Sequence, residues 1–293
     1  MQCTVISITT PKRYILKGLW FGGEKPKKAL VFIHGLTSSP FSHHEYLTSL
    51  ADDSTSVIFF GNRGSEVVAK FRRVDRRKKS GYSSEFIGEA HEVFTDCIDD
   101  IQGVVNFLHE KGVKEIFLVG HSTGCQKAVY YLSRPGKQKS VAGAVLLCPM
   151  SDWAYVKKYE KPEILKRATD YARNLIKKNK THELLPQDIY YETMDAQRFL
   201  SLYTPGSIEN QIFPYFDSQS KAKILRSVKI PLLVVFAQKD EYRDRPTKQL
   251  IKWFAKKGRN RKFVTVSITG ASHGFNGQES HVSNQISNWL KKL

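Results

Sequence analysis

The sequence predicts an α/β fold: a mostly parallel sheet flanked by helices, with an inserted helical cap. Three observations predict it. Short apolar, β-branched runs alternate with longer stretches of helical periodicity along most of the 293 residues, the rhythm of strand–helix–strand units. Ala29-Leu30-Val31-Phe32-Ile33 is apolar without interruption, as a strand buried on both faces must be. From about Ser151 to Tyr215 the rhythm stops, and the chain turns polar, helical and rich in Lys, Tyr and Pro.

Taken in order, Cys3–Ile8 and Tyr14–Phe21 read as two strands that pair, the second beginning after Pro11. Buried strands are expected at Ala29–Ile33, Val57–Phe60, Glu115–Val119, Val141–Leu147, Leu232–Phe236 and Phe263–Ile268. Helices are expected between them, over Phe41–Ala51, Ala90–Lys111, Thr123–Ser133, Pro246–Lys257 and Glu279–Leu293. Within the interruption, Ile164-Leu165, Ala168, Tyr171-Ala172 and Leu175-Ile176 recur at helical spacing and mark one amphipathic helix. The division that follows is a core over residues 1–150 and 216–293, with residues 151–215 as a helical cap.

Composition narrows the function classes. Hydrophobic residues make up 41% and charged residues 25%, normal for a soluble globule and wrong for a disordered chain. The longest apolar stretches, Gly143–Met150 and Pro231–Ala237, fall far short of the roughly 20 residues a spanning helix needs, so no membrane insertion is expected. Met1–Ile8 has no basic start and too short an apolar run for a signal peptide. Cys3, Cys97, Cys125 and Cys148 form no Cys-x-x-Cys pair, which points to buried thiols in a reduced, cytoplasmic protein. The unusual quantity is a net charge of +18, which raises nucleic acid or an anionic surface as a partner.

Chemistry concentrates at Gly120-His121-Ser122-Thr123-Gly124, which follows one expected strand directly and opens the next expected helix. Gly-x-Ser-x-Gly is weak as five letters; the strand–turn–helix context gives it meaning. A sharp turn there forces the serine into strained backbone angles, lifts its hydroxyl clear of the sheet and sets it at a helix N-terminus. A serine nucleophile needs a base, and the base needs an orienting acid. His273, in the loop after Phe263–Ile268, is the base, because His281 falls inside the final helix. Asp240 follows the strand Leu232–Phe236 and is the acid candidate; Glu241 and Asp244 are near rivals that also read as surface or helix-start charges, and Asp152 competes from the exit of Val141–Leu147.

Together these residues resemble the α/β-hydrolase superfamily over nearly the whole chain: a strand followed by His34-Gly35, then Gly120–Gly124, Asp240 and His273. The segment Gly120–Gln126 looks like the elbow of a group that includes fungal siderophore (fusarinine-type) esterases and plant relatives. Glu183-Leu184-Leu185-Pro186 and Arg198–Gly206 are similar as well, and Asn62-Arg63-Gly64 and Glu92–Cys97 look like bacterial or archaeal members. The resemblance implies carboxylic-ester hydrolysis by Ser122, Asp240 and His273, without cofactor or metal. Triad order in that superfamily favours Asp240 over Asp152. It also implies an oxyanion hole from the backbone N–H groups of Thr123 and Leu36, with His34 shaping the loop. The basic stretch Lys70–Lys79 and much of the cap depart from those esterases.

Other readings are weaker. His91-Glu92 and His182-Glu183 lack the second histidine of a zinc-protease helix, and no phosphate-binding glycine loop is present. Thioesterase, peptidase, acyltransferase and carbon–carbon hydrolase activities use the same triad. A non-catalytic receptor on this fold would commonly lack triad members. The basic stretch, read as a loop, and the acid-free Arg245–Lys262 match no nucleic-acid motif, so no nucleic-acid partner is expected. The expected partner is a small ester, medium-sized or aromatic, because Trp153, Tyr155, Tyr159, Tyr190, Tyr191, Phe199, Tyr203, Phe213, Tyr215 and Phe216 crowd the cap and its edge. The positive charge adds an expectation that the ester is anionic.

Overall fold

The apolar runs pair into one ten-stranded sheet in a computed structural model that describes residues 3–43, 45–258 and 262–293. Its strands are β1 (Cys3–Thr9), β2 (Tyr14–Phe21), β3 (Lys28–Ile33), β4 (Thr55–Phe60), β5 (Lys70–Val74), β6 (Tyr82–Phe86), β7 (Glu115–His121), β8 (Gly143–Leu147), β9 (Leu232–Ala237) and β10 (Phe263–Ile268). The spatial order is β10-β9-β8-β7-β3-β4-β2-β5-β6, with β1 paired to β2. From β10 to β4 every pairing is parallel; β2 and the strands around it are antiparallel. Parallel neighbours leave the sheet at the same edge, so the loops after β3, β7, β8, β9 and β10 gather there.

Residues of β3 show how the layers form. Ala29, Val31 and Ile33 point into one buried cluster, with Val104 and Leu108 of α2 (Cys97–Glu110) and Val129 of α3 (Thr123–Leu132). Leu30 and Phe32 point into the opposite cluster, with Ile286 and Trp289 of α9 (Glu279–Leu290). Period-two alternation of an all-apolar strand thus feeds two cores at once. α8 (Thr247–Lys257) covers the first face through Leu250 and Phe254, and the four-residue α1 (Glu45–Thr48) covers the second through Tyr46 and Leu47.

A third cluster forms among α4 (Asp152–Tyr159), α5 (Pro162–Lys177) and α6 (Ala196–Tyr203), built from residues such as Leu165, Ala168, Ala172, Phe199 and Leu202. The spacing that marks α5 in the sequence is the spacing of its buried residues. α7 (Lys223–Ser227) returns the chain to the sheet.

Three expectations change. Lys70–Lys79 is not a loop: its first half is β5, which pairs with β6 as an antiparallel hairpin and turns through Asp75–Gly81. Its strands were hidden because one residue of β5, Phe71, is buried while the alternate positions are basic and exposed. The helix expected over Ala90–Lys111 starts at Cys97, preceded by short 3-10 turns at Glu89–His91 and Phe94–Asp96. Glu92 is drawn inward there, onto Lys127 and Arg198, and the backbone bends to follow it. The helix expected over Phe41–Ala51 shrinks to α1; His44, like Met1, Gln2 and residues 259–261 of the acid-free stretch, lies outside the described residues.

Charges are also buried. Lys127 Nζ pairs with Glu92 Oε1 at 2.5 Å and donates to Asn62 Oδ1 at 3.0 Å. Arg198 pairs with Glu92 and with Glu209, each at 2.8 Å. Arg63 pairs with Asp100 at 2.8 Å and Asp99 at 3.0 Å. No helix among the described residues is long and apolar enough to cross a membrane.

Candidate active site

Ser122 stands between β7 and α3 with φ 55° and ψ −125°, a conformation unfavourable for any residue with a side chain. Its N–H donates to the Leu147 carbonyl at 2.9 Å, which ties the turn to β8. The turn tolerates no bulk: a Cβ on Gly124 would lie 2.0 Å from the Ile33 carbonyl oxygen. Gly35 approaches from β3's exit so closely that its Cβ would fall 2.8 Å from Ser122 Cβ. Sheet register therefore sets the serine beside the loop that holds Leu36.

His273 reaches the same place from β10's exit. Its Nδ1–H donates to Asp240 Oδ1 at 2.9 Å, and its backbone N–H donates to Glu241 Oε2 at 2.9 Å. The exits of β9 and β10 are laced together by Gln238 N–H to the Ile268 carbonyl and Lys239 N–H to the Ala271 carbonyl. His121 donates from Nε2 to the His273 carbonyl at 2.9 Å, and burial keeps that imidazole neutral by holding its pKa well below the ordinary value. The Tyr242 ring meets His273 edge-on at 4.7 Å. Glu241 and His121 hold His273 through its backbone; the sequence offered Glu241 only as a rival acid and gave no sign of the His121 contact.

The acid candidates separate in space. Asp240 bonds His273. Asp152 is buried and accepts from Gln126 Nε2 at 3.0 Å, and burial pushes its pKa up to about 8. Asp244 pairs with Arg245. His34 is buried under the β3 exit; Asn62 N–H donates to its Nε2 at 3.2 Å, leaving Nδ1–H to donate to the Gly35 carbonyl at 2.9 Å. Desolvation lowers its pKa to about 3, so it is a neutral strut of that loop. The amides of Leu36 and Thr123 donate to no acceptor among the described residues.

A cavity of about 440 Å³ opens over Ser122 and is lined by Leu36, His273 and Asp152 among others. Such a volume suits a small-molecule ligand. Of the aromatic residues expected to crowd the cap and its edge, Tyr155 and Tyr203 line it; Tyr190 and Phe199 pack in the third cluster, and Phe213 and Tyr215 pack on the sheet. Its wall carries Glu89, Asp152 and Glu192 and, among the described residues, neither Lys nor Arg.

Two groups of side chains have metal-ligand spacing among the described residues. Cys148, Asp240 and His273 form one, already joined by the His273–Asp240 bond. His91 and His182 both direct Nδ1 at Asp195 Oδ2, at 3.0 and 2.8 Å, while Asp195 Oδ1 caps α6 by accepting Arg198 N–H at 2.8 Å.

A family model described as a protein of unknown function (DUF1749) matches residues 21–291. A bifunctional esterase/perhydrolase of Acinetobacter calcoaceticus is 30% identical over 168 residues, 57% of this chain and 54% of that protein, so the match spans about half the length of this curated relative. Among solved structures, a siderophore hydrolase, EstB, from Aspergillus fumigatus superposes with a TM-score of 0.66 at 18% identity, covering 99% of this chain and 96% of the other. An esterase from Pyrococcus furiosus superposes with a TM-score of 0.62 at 18% identity, covering 99% and 91%. These likenesses establish the α/β-hydrolase fold.

Proposed function

This chain belongs to the DUF1749 family, and from that premise we propose that it cleaves carboxylic esters through Ser122, His273 and Asp240. The observation that carries the reading is the 2.9 Å bond from His273 to Asp240, made at the mouth of the cavity that holds Ser122 on its strained turn. With Nδ1 engaged, the Nε2 of His273 is the nitrogen left to accept the Ser122 proton. The alkoxide attacks the ester carbonyl, the oxyanion is received by the Leu36 and Thr123 amides, and His273 returns the proton to the departing alcohol. A water deprotonated by the same imidazole then releases the acid and restores Ser122.

Segment 151–215 acts as a cap in this reading, supported by its own apolar cluster and by the contribution of Tyr155, Glu192 and Tyr203 to the cavity wall. The size of the cavity favours a medium-sized or aromatic ester over a long acyl chain. Buried, unpaired Cys97, Cys125 and Cys148 support a reducing, cytoplasmic location.

The test is Ser122→Ala. Turnover of p-nitrophenyl butyrate should disappear with the circular dichroism spectrum and melting temperature preserved, and a fluorophosphonate probe should label the parent chain at Ser122 only. Retained turnover in the folded variant overturns the assignment.

A further inference from the structure

The chain carries 46 Lys and Arg residues, yet among the described residues no Lys or Arg lines the cavity over Ser122. Three carboxylates do: Glu89, Asp152 and Glu192. Basic residues behind the wall compensate them only in part: Arg198 attracts all three, but burial still raises each acid's pKa. Arg198, fully buried, is engaged by Glu92 and Glu209 at 2.8 Å each and approaches Glu89 only at 3.9 Å. Lys127, also fully buried, is engaged by Glu92 at 2.5 Å. Two cations therefore meet Glu92 and Glu209, and the acids facing the cavity are left in excess. The hydrogen-bond partners of Asp152 and Glu192 are neutral donors: Gln126 on Asp152 at 3.0 Å, and the Tyr203 hydroxyl on Glu192 at 2.5 Å.

Acids kept in such a place are unfavourable for the empty protein. Burial raises Glu89 to about 7 and Asp152 to about 8, and raises Glu192 as well. Neutral Gln or Asn would fill the same space without that penalty, so the carboxyls are explained by something that enters the cavity. Their oxygens do not gather within 4.8 Å of one another, a spread that fits an extended organic group better than a bare metal ion. The same wall carries the rings of Tyr155, Tyr203 and Tyr242, with Tyr155 and Tyr242 centred 5.7 Å apart. Carboxylates beside aromatic faces are the combination that receives an ammonium group.

We propose that the ester taken by this site carries a positively charged amine, held by Glu89, Asp152 and Glu192 together with the tyrosine rings. This replaces the anionic ester that the net charge suggests, and it rests on the hydrolase reading above only for the word ester. An ammonium entering the cavity favours release of the Asp152 proton to solvent and pairs with the carboxylate left behind, so specificity follows the cavity wall and not the net charge of +18.

Three esters with one leaving group test it: p-nitrophenyl 6-aminohexanoate, its neutral isostere p-nitrophenyl heptanoate, and the anionic mono-p-nitrophenyl pimelate. The parent enzyme should show kcat/KM at least about tenfold higher for the amino ester than for the heptanoate, the range of a charge-assisted hydrogen bond, and lowest for the pimelate. The variant Glu89→Gln/Asp152→Asn/Glu192→Gln should bring the cationic-to-neutral ratio toward one. Glu192→Gln alone, at the less buried position, should lower the same ratio if the triple variant does not fold. Equal kcat/KM for the amino ester and heptanoate, or preference for the pimelate, overturns the proposal. Failure of the parent to cleave any of the three overturns the hydrolase reading instead. Calorimetric binding of 6-aminohexanamide against heptanamide then decides the charge by itself: tighter binding of the amine supports it, and equal or weaker binding rejects it.

Discussion

Asp240 and Asp152 are the residues whose roles the sequence left in competition, and the backbone settles where each carboxylate goes. β9 and β10 exit side by side, so Asp240 meets His273; β8 exits toward α4, and Asp152 meets Gln126. The residue types and their order made Ser122 and His273 legible. The contacts of Glu241 and His121 with His273 were not, because a bond to a backbone N–H or carbonyl leaves no mark in the residue type of the group it holds. Asp240→Asn should lower kcat for p-nitrophenyl butyrate by roughly 10⁴, the effect of losing the carboxylate that orients a catalytic imidazole. Asp152→Asn should lower it at least about a hundredfold less, and the reverse ranking would move the acid to Asp152. Asp152 also has a signature in stability. Its folded pKa of about 8 lies above the unfolded value, so the native state holds a proton through the window from about pH 4 to 8 that the unfolded chain releases. Native stability falls as pH rises through that window, and Asp152→Asn removes this term. The melting temperature of the variant minus that of the parent should therefore grow from pH 5 to pH 8; a gap independent of pH would refute the buried, proton-holding carboxyl.

At the scale of elements, β3, β8 and β9 were readable because burial on both faces leaves almost no polar letters in them, whereas β10, expected as a buried strand, is an edge strand with Ile268 as its one buried residue. The β5–β6 hairpin was not, since an edge ribbon with one buried residue in β5 looks like a charged loop. The late start of α2 had a cause far away in sequence, Arg198 on α6 pulling at Glu92. That contact joins the segment 151–215 to the turns before α2, and Asp195 strengthens the junction by capping α6 while its N–H donates to the Ala90 carbonyl at 2.8 Å. Arg198→Met should expose the meaning of the junction. It leaves Glu92 and Glu209 buried with one cation fewer, a loss of about 3–5 kcal/mol for a broken buried pair. Thermal unfolding should show a melting temperature lower by roughly 10 °C, while a drop under about 2 °C would mean that the junction is held by its apolar contacts alone.

For the whole molecule, charge and site have to be reconciled. The net charge of +18 creates a field that repels cations at a distance, whereas the cavity wall attracts them at contact. Part of that field comes from the basic β5–β6 hairpin. β5 lies four strand positions from β7, roughly 19 Å at ordinary strand spacing. The Debye length is about 10 Å at 0.1 M ionic strength, so salt removes the influence of such distant charges first, and partly buried carboxylates are screened least. Raising NaCl from about 0.02 M to about 0.3 M should therefore hold or increase kcat/KM for p-nitrophenyl 6-aminohexanoate relative to the heptanoate, and decrease it for the pimelate, which loses its long-range attraction. Michaelis parameters for the three esters at the two salt concentrations give the answer directly. If the preference for the amino ester instead collapsed toward one with added salt, recognition would lie with exposed groups at the cavity rim. Glu89, Asp152 and Glu192 would then be ruled out as the groups that select the substrate.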